Sequence, residues 1–125
     1  MNSLEMRNRT KKFSLDILEL LEILPISKTF KLIENQLGRA ALSVGANYRV
    51  VSRAKSSNDF INKLKIVEEE CDECTFFLEI LLEKSVNHKE LIQKLLSEAN
   101  EILAIIVASI KSARNNKSQI KNRKS

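Results

Sequence analysis

The chain has 125 residues, of which 43% are apolar and 30% are charged, and its net charge is +5. This length suits one domain that buries a core without disulfides or metal ions. The sequence holds 2 Gly, 1 Pro and 5% aromatic residues, which are too few for the turns of a β-sandwich or for a glycine-rich phosphate loop. We therefore predict an all-α fold.

Four amphipathic segments follow one another along the chain, each with apolar residues spaced by threes and fours. Helices of this length joined by short loops pack most simply as an antiparallel up-down-up-down four-helix bundle. The polar, basic and aperiodic residues 115–125 are expected to form a disordered tail after a bundle of residues 1–114. The predicted helices cover about 3–24, 28–54, 58–84 and 88–114.

Two glycines, Gly38 and Gly45, lie seven residues apart inside the second predicted helix. A glycine inside a helix costs about 1 kcal/mol relative to alanine. The pair is explained either by close approach of a neighbouring backbone or by ordinary tolerance.

Charge is unevenly distributed along the chain: residues 28–55 carry +5, residues 59–83 carry −6 and residues 111–125 carry +6. The basic residues of the second helix fall within an arc of about 80°. This stripe either binds phosphates together with the basic tail or pairs with the acidic third helix, within or between subunits. The candidate phosphate-binding residues are Lys28, Lys31, Arg39, Arg49, Arg53, Lys55, Lys117, Lys121, Arg123 and Lys124.

Each predicted helix has one apolar face, which we call its seam and which we expect to lie in the core. Several large apolar residues point away from the seams. They are Leu32, Leu42 and Val50 on the second helix and Phe76 and Ile80 on the third. A monomer would leave these side chains in water, so we expect them to form an oligomer interface.

No catalytic or metal-binding constellation is apparent. Cys71 and Cys74 occupy seam positions in mid-helix, where a redox pair is not expected, and are predicted to pack in the core. His88 is expected to be exposed at a helix start, and no Glu-x-x-His pair is present. We expect no enzymatic activity, no cofactor and no metal. The absence of a long apolar run and of a signal peptide favours a cytoplasmic protein without a membrane partner.

Three stretches, QLGRAALSVGANYR at 36–49, SRAKS at 52–56 and DFINKLKIVEEECDE at 59–73, closely resemble the bacterial four-helix bundle family of 23S rRNA intervening-sequence proteins. This family is related to the accessory variability protein of diversity-generating retroelements. The resemblance covers about residues 13–110. The positions that match the family motif are Arg39, Asn47, Arg49, Arg53, Lys55, Phe60, Lys65, Glu69, Glu70, Asp72 and Glu73.

The resemblance implies a small cytoplasmic bundle that assembles as a cyclic homopentamer. It also implies that basic surfaces bind nucleic acid and a reverse transcriptase, as in the retroelement members. Our first hypothesis is an oligomer that holds RNA or DNA by its phosphates without reading bases, because no aromatic stacking platform is evident. The alternative is a protein-interaction scaffold that does not bind nucleic acid.

Overall fold

The computed structural model describes the backbone of residues 2–124 and the side chains of residues 2–120. Within this part of the chain there is no strand, which confirms the prediction of an all-α fold. A short 3₁₀ helix, Val51–Arg53, ends the second helix earlier than predicted. The four helices are α1 (Ser3–Ile23), α2 (Lys28–Arg49), α3 (Ser57–Lys84) and α4 (Lys89–Lys124).

The helices form the predicted antiparallel bundle. Each helix packs against the one that follows it in the chain, and α1 also packs against α4. The N-terminal ends of α1 and α3 therefore lie beside the C-terminal ends of α2 and α4.

Side-chain caps fix where the first three helices begin. Asn2, Ser27 and Ser56 each accept a hydrogen bond from a backbone N–H three residues later, at 2.8, 3.1 and 3.0 Å. Each cap satisfies one of the N–H groups that a first helical turn leaves without a partner. α4 begins differently, because His88, just before it, adopts a left-handed conformation with φ of 64°.

Most of the core consists of residues at the predicted three-and-four spacing. The apolar residues at this spacing are buried or packed against the core in all four helices, and Cys71 and Cys74 are completely buried. The spacing did not select Ala40, Ile61, Leu95, Ile102 and the polar residues Thr10, Ser14 and Thr75, which are buried as well. The hydroxyls of Thr10, Ser14 and Thr75 donate to backbone carbonyls, which satisfies them in the core.

Close approach of α1 and α2 explains one of the two glycines. A Cβ at Gly45 would lie 2.7 Å from Ser14 Oγ and 3.4 Å from the Thr10 carbonyl oxygen. The Ser14 hydroxyl is held there because it donates to the Ala41 carbonyl at 2.6 Å. At Gly38, a Cβ would meet only the end of the Leu21 side chain, at 3.2 Å.

The structure corrects the expectation of a disordered tail for residues 115–124, whereas Ser125 lies outside the described residues. α4 continues without a break to Lys124, and its residues from Arg114 to Ile120 are exposed. The segment contains no Pro or Gly to stop a helix. The segment lacks the apolar spacing of a core-facing helix because it extends beyond the core. A helix can continue there with all of its side chains in water.

The two glycines provide a matched pair of substitutions. In G38A the gain in helix propensity, about 1 kcal/mol, should offset a small shift of Leu21, so stability should change by less than about 0.5 kcal/mol. In G45A the new methyl group meets a hydrogen-bonded hydroxyl and backbone, so we expect a loss of about 1–2 kcal/mol. Urea unfolding followed by circular dichroism measures both values. Equal stability of G45A and wild type would contradict the close approach.

Candidate nucleic-acid interface

The antiparallel topology collects positive charge at one end of the bundle. We define the basic end as residues 3–13, 45–66 and 105–120, which come together there from all four helices. This end carries twelve basic and two acidic residues, whereas the remaining described side chains include six basic and fourteen acidic residues. The charged residues of the basic end are Arg7, Arg9, Lys11, Lys12, Arg49, Arg53, Lys55, Lys63, Lys65, Lys111, Arg114 and Lys117, with Glu5 and Asp59.

The predicted phosphate-binding residues are divided between the two ends. Arg49, Arg53, Lys55 and Lys117 are exposed at the basic end. Lys28 and Lys31 lie at the first turn of α2, at the opposite and more acidic end. The structure therefore does not form one continuous site from the whole stripe. The predicted residues Lys121, Arg123 and Lys124 lie outside the described side chains.

Arg39 contacts the acidic helix of its own chain. Its guanidinium donates to Glu70 at 3.3 Å and to Glu73 at 3.0 Å, both on α3. These carboxylates raise the pKa of Arg39, and the hydrogen bond that Arg39 donates to Glu73 contributes most. For this residue the structure supports pairing of α2 with α3 within one chain. Arg49 and Arg53 form no ion pair with any side chain among residues 2–120.

A second cross-helix ion pair was not predicted from the sequence. Arg9 of α1 binds Glu98 of α4 through two hydrogen bonds of 2.8 and 2.6 Å, and it reaches Glu101 at 2.9 Å. The hydrogen bond from Arg9 lowers the pKa of Glu98. The two residues lie 89 positions apart, so no local pattern could have indicated the contact. It neutralises Arg9 and leaves the outer residues of the basic end to define the interface.

A groove of about 850 Å³ opens at the basic end, between α4 and the connection from α2 to α3. Lys117 of α4 donates to the side-chain oxygen of Asn58 near the start of α3. The sequence did not indicate this groove, because part of one wall, Asn116, Lys117 and Ile120, lies in the segment expected to be disordered. Its lining residues are Val51, Ser52, Ala54, Lys55, Ser56, Ser57, Phe60, Ile105, Ala108, Ser109, Ser112, Ala113, Asn116, Lys117 and Ile120.

The predicted oligomer-interface residues are not equally available. Leu32 and Phe76 are 65% and 56% exposed, and Leu42 is also exposed. Val50 is half-buried. Ile80 packs against the core, which corrects the assignment of this side chain to the outer surface. Phe76 lies about one helical turn from Glu73, the residue through which Arg39 links α2 to α3. This exposed side chain is therefore next to the ion pairs between the two helices.

The cysteines and the histidine lie where the sequence predicted. Both thiols are buried, and Cys71 Sγ donates to the Ala99 carbonyl at 3.3 Å. Burial raises the pKa of Cys71 to about 12 and raises the pKa of Cys74 further. His88 is exposed. Among the described residues, no group of three potential ligands could hold a metal ion, and no helix is long and apolar enough to cross a membrane.

A model of the 23S rRNA-intervening sequence protein family matches residues 2–108. The chain belongs to this family. This intervening-sequence protein is also similar to a crystal structure of a protein with unknown function from the S23 ribosomal protein family of Bacteroides thetaiotaomicron VPI-5482. The identity is 28% and the TM-score 0.79, over 89% of this chain and 99% of that chain. No curated protein matches. The relation to retroelement proteins stays a prediction.

Burial of the thiols makes stability depend on pH. Above pH 9 the unfolded chain releases thiol protons that the folded chain keeps, so the free energy of unfolding should fall as pH rises. Between pH 8 and pH 10, wild type should lose about 3 kcal/mol more than the C71A/C74A variant, because each of the two thiols contributes about 1.5 kcal/mol. At pH 7 the variant should be about 1–3 kcal/mol less stable, because small buried side chains are lost. Denaturant titrations at each pH provide both numbers. Parallel pH profiles would show that the thiols are not buried.

Proposed function

We propose that this intervening-sequence protein is a non-enzymatic, oligomeric bundle that binds nucleic acid by its backbone phosphates at the basic end. The observation that carries the proposal is the separation of charge, with twelve basic and two acidic residues at one end of the fold. Lysine and arginine residues that neutralise phosphates release condensed counterions, which supplies affinity without reading sequence. The family description, which names 23S rRNA, agrees with a nucleic-acid partner.

The exposed cations of the basic end are suited to phosphate contact. Arg49 and Arg53 have no carboxylate partner within residues 2–120, so a phosphate would replace water and not an existing ion pair. Arg39 would have to break contacts with Glu70 and Glu73 to reach a ligand. We therefore place phosphate binding at Arg49, Arg53, Lys55 and Lys117 and leave Arg39 out of the site.

The proposal of a non-enzymatic protein rests on the surroundings of the reactive side chains. His88 lies on the turn between α3 and α4, at the end opposite the basic end. Cys71 and Cys74 are buried and keep their protons at neutral pH. A general base and a nucleophile need to be within hydrogen-bond reach of each other, whereas both thiols lie in the core and the imidazole lies on the surface.

Charge reversal at the two ends of α2 tests the phosphate site. R49E/R53E changes the basic end, whereas K28E/K31E makes the same change in net charge at the opposite end. We expect R49E/R53E to weaken binding of a 20-base-pair RNA or DNA duplex more than tenfold and to reduce the salt slope by about 2. The control should change affinity less than about threefold. Fluorescence anisotropy across a salt series measures both.

Two outcomes would contradict the proposal. Equal losses in the two variants would show that net charge alone governs binding. No measurable binding by the wild-type chain at low salt would refute nucleic-acid binding and favour the alternative, a protein-interaction scaffold.

The oligomer is tested at the exposed apolar side chains of α2 and α3. L32S/F76S should dissociate the assembly and retain its helix content, because neither side chain lies in the core. Ile80 is left unchanged because it packs against the core. L15S/I26S removes two other exposed apolar side chains and should not affect assembly. Light scattering measures the particle mass, and circular dichroism measures the helix content. An unchanged particle mass in L32S/F76S would place the interface elsewhere.

A further inference from the structure

The groove at the basic end has an apolar floor. Phe60 and Val51 face it from the α2–α3 side, and α4 contributes Ile105, Ala108 and Ile120. Ile120 remains 49% exposed although it lies beside this groove. The volume of about 850 Å³ is in the range of cavities that hold ligands. The floor can therefore accept flat apolar groups from a partner.

The sides of the groove are polar and carry no negative charge. Ser56 caps α3 and Ser109 donates to the Ile105 carbonyl, whereas Asn116 and the hydroxyls of Ser52, Ser57 and Ser112 are polar groups without such a role. Lys55 and Lys117 add two cations. No carboxylate occurs among the lining residues. Such a lining suits a ligand with an apolar face, a hydrogen-bonding edge and a nearby negative charge.

We propose that the groove holds unpaired bases of single-stranded RNA. The flat apolar face of a base can pack on Phe60, and its polar edge can form hydrogen bonds with the serines and Asn116. The flanking phosphates would meet Lys55 and Lys117, and the hydroxyl and amide groups can both donate to and accept from a ribose 2′-hydroxyl. This inference rests on the proposed function, which assigns phosphates to the same end, and adds that unpaired bases contribute to binding.

The groove differs from a sequence-reading site. Phe60 is its one aromatic lining residue, and it is half-buried, so it offers limited stacking and no distinct pocket for each base. Binding should therefore tolerate many sequences. The groove also lies partly beyond the region that matches the family, which ends at residue 108. Its outer wall, from Ser109 to Ile120, is formed by residues after that point.

Substitutions that fill the groove without altering its charge distinguish the contribution of bases to affinity from the contribution of phosphates. A108L/S112L places two leucines on exposed positions of the groove wall. A104L/S118L makes the same two kinds of change at exposed positions of α4 that do not line it. The probes are a 12-nucleotide uridylate strand, a strand of equal length with abasic internal sites, and a 12-base-pair RNA duplex.

For the wild-type chain we expect the uridylate strand to bind about 5–150-fold more tightly than the abasic strand, the range for stacking of one base. A108L/S112L should bind uridylate as weakly as the abasic strand and should bind the duplex within twofold of wild type. F60L should lose part of the same preference. A104L/S118L should behave as wild type in all three measurements.

The inference and the proposed function fail in different ways. Equal binding of the uridylate and abasic strands by wild type would overturn the base site and leave phosphate binding intact. Parallel loss of duplex and single-strand binding in A108L/S112L would also overturn it. A changed particle mass in A108L/S112L would assign the groove to contact between copies of the chain. No binding of any probe by wild type would refute the proposed function itself.

Discussion

Burial of one apolar face on each of four helices is the constraint on which the rest of the structure depends. With the short connections of this chain, the apolar faces meet in one core when consecutive helices run antiparallel. Buried polar contacts then fix the level at which neighbours meet, with Ser14 bonded to the Ala41 carbonyl and Cys71 to the Ala99 carbonyl. Once the helices are fixed relative to one another along the bundle axis, the sequence alone determines which charged residues lie at the same end.

The basic end is a consequence of that constraint, and it carries an electrostatic cost. Twelve cations at one end repel one another, and the two acidic residues there compensate little. Part of the charge is balanced inside the bundle, because Arg9 binds Glu98 and Glu101 from the neighbouring helix. The exposed remainder is screened by salt. A core that forms independently of these charges can tolerate such repulsion, and an anionic ligand would relieve it.

The sequence predicted the fold more completely than the candidate site. Helix number, the antiparallel arrangement and most core residues follow from apolar spacing, a local property. The grouping of Arg49 with Lys117 depends on the continuation of α4 beyond residue 114, which was not predicted. The separation of Lys28 from both follows from the antiparallel arrangement, but the stripe on α2 was treated as one surface. Residues 115–124 were misassigned because the absence of a core-facing pattern was taken as the absence of a helix. Arg39 had two interpretations from sequence, and only the cross-helix distances to Glu70 and Glu73 decide between them.

The two apolar residues chosen to test assembly lie away from the basic end, and this has a consequence for affinity. Leu32 and Phe76 lie in the half of the bundle away from the groove, whereas Arg49, Arg53 and Lys117 lie at the basic end. Assembly through Leu32 and Phe76 would leave every basic end open to the same solvent. Several weak phosphate sites on one particle act at a high effective concentration along a single nucleic-acid strand, so their combined affinity can exceed that of one site by orders of magnitude. A chain with few phosphate contacts could thus bind firmly as an oligomer and weakly as a monomer.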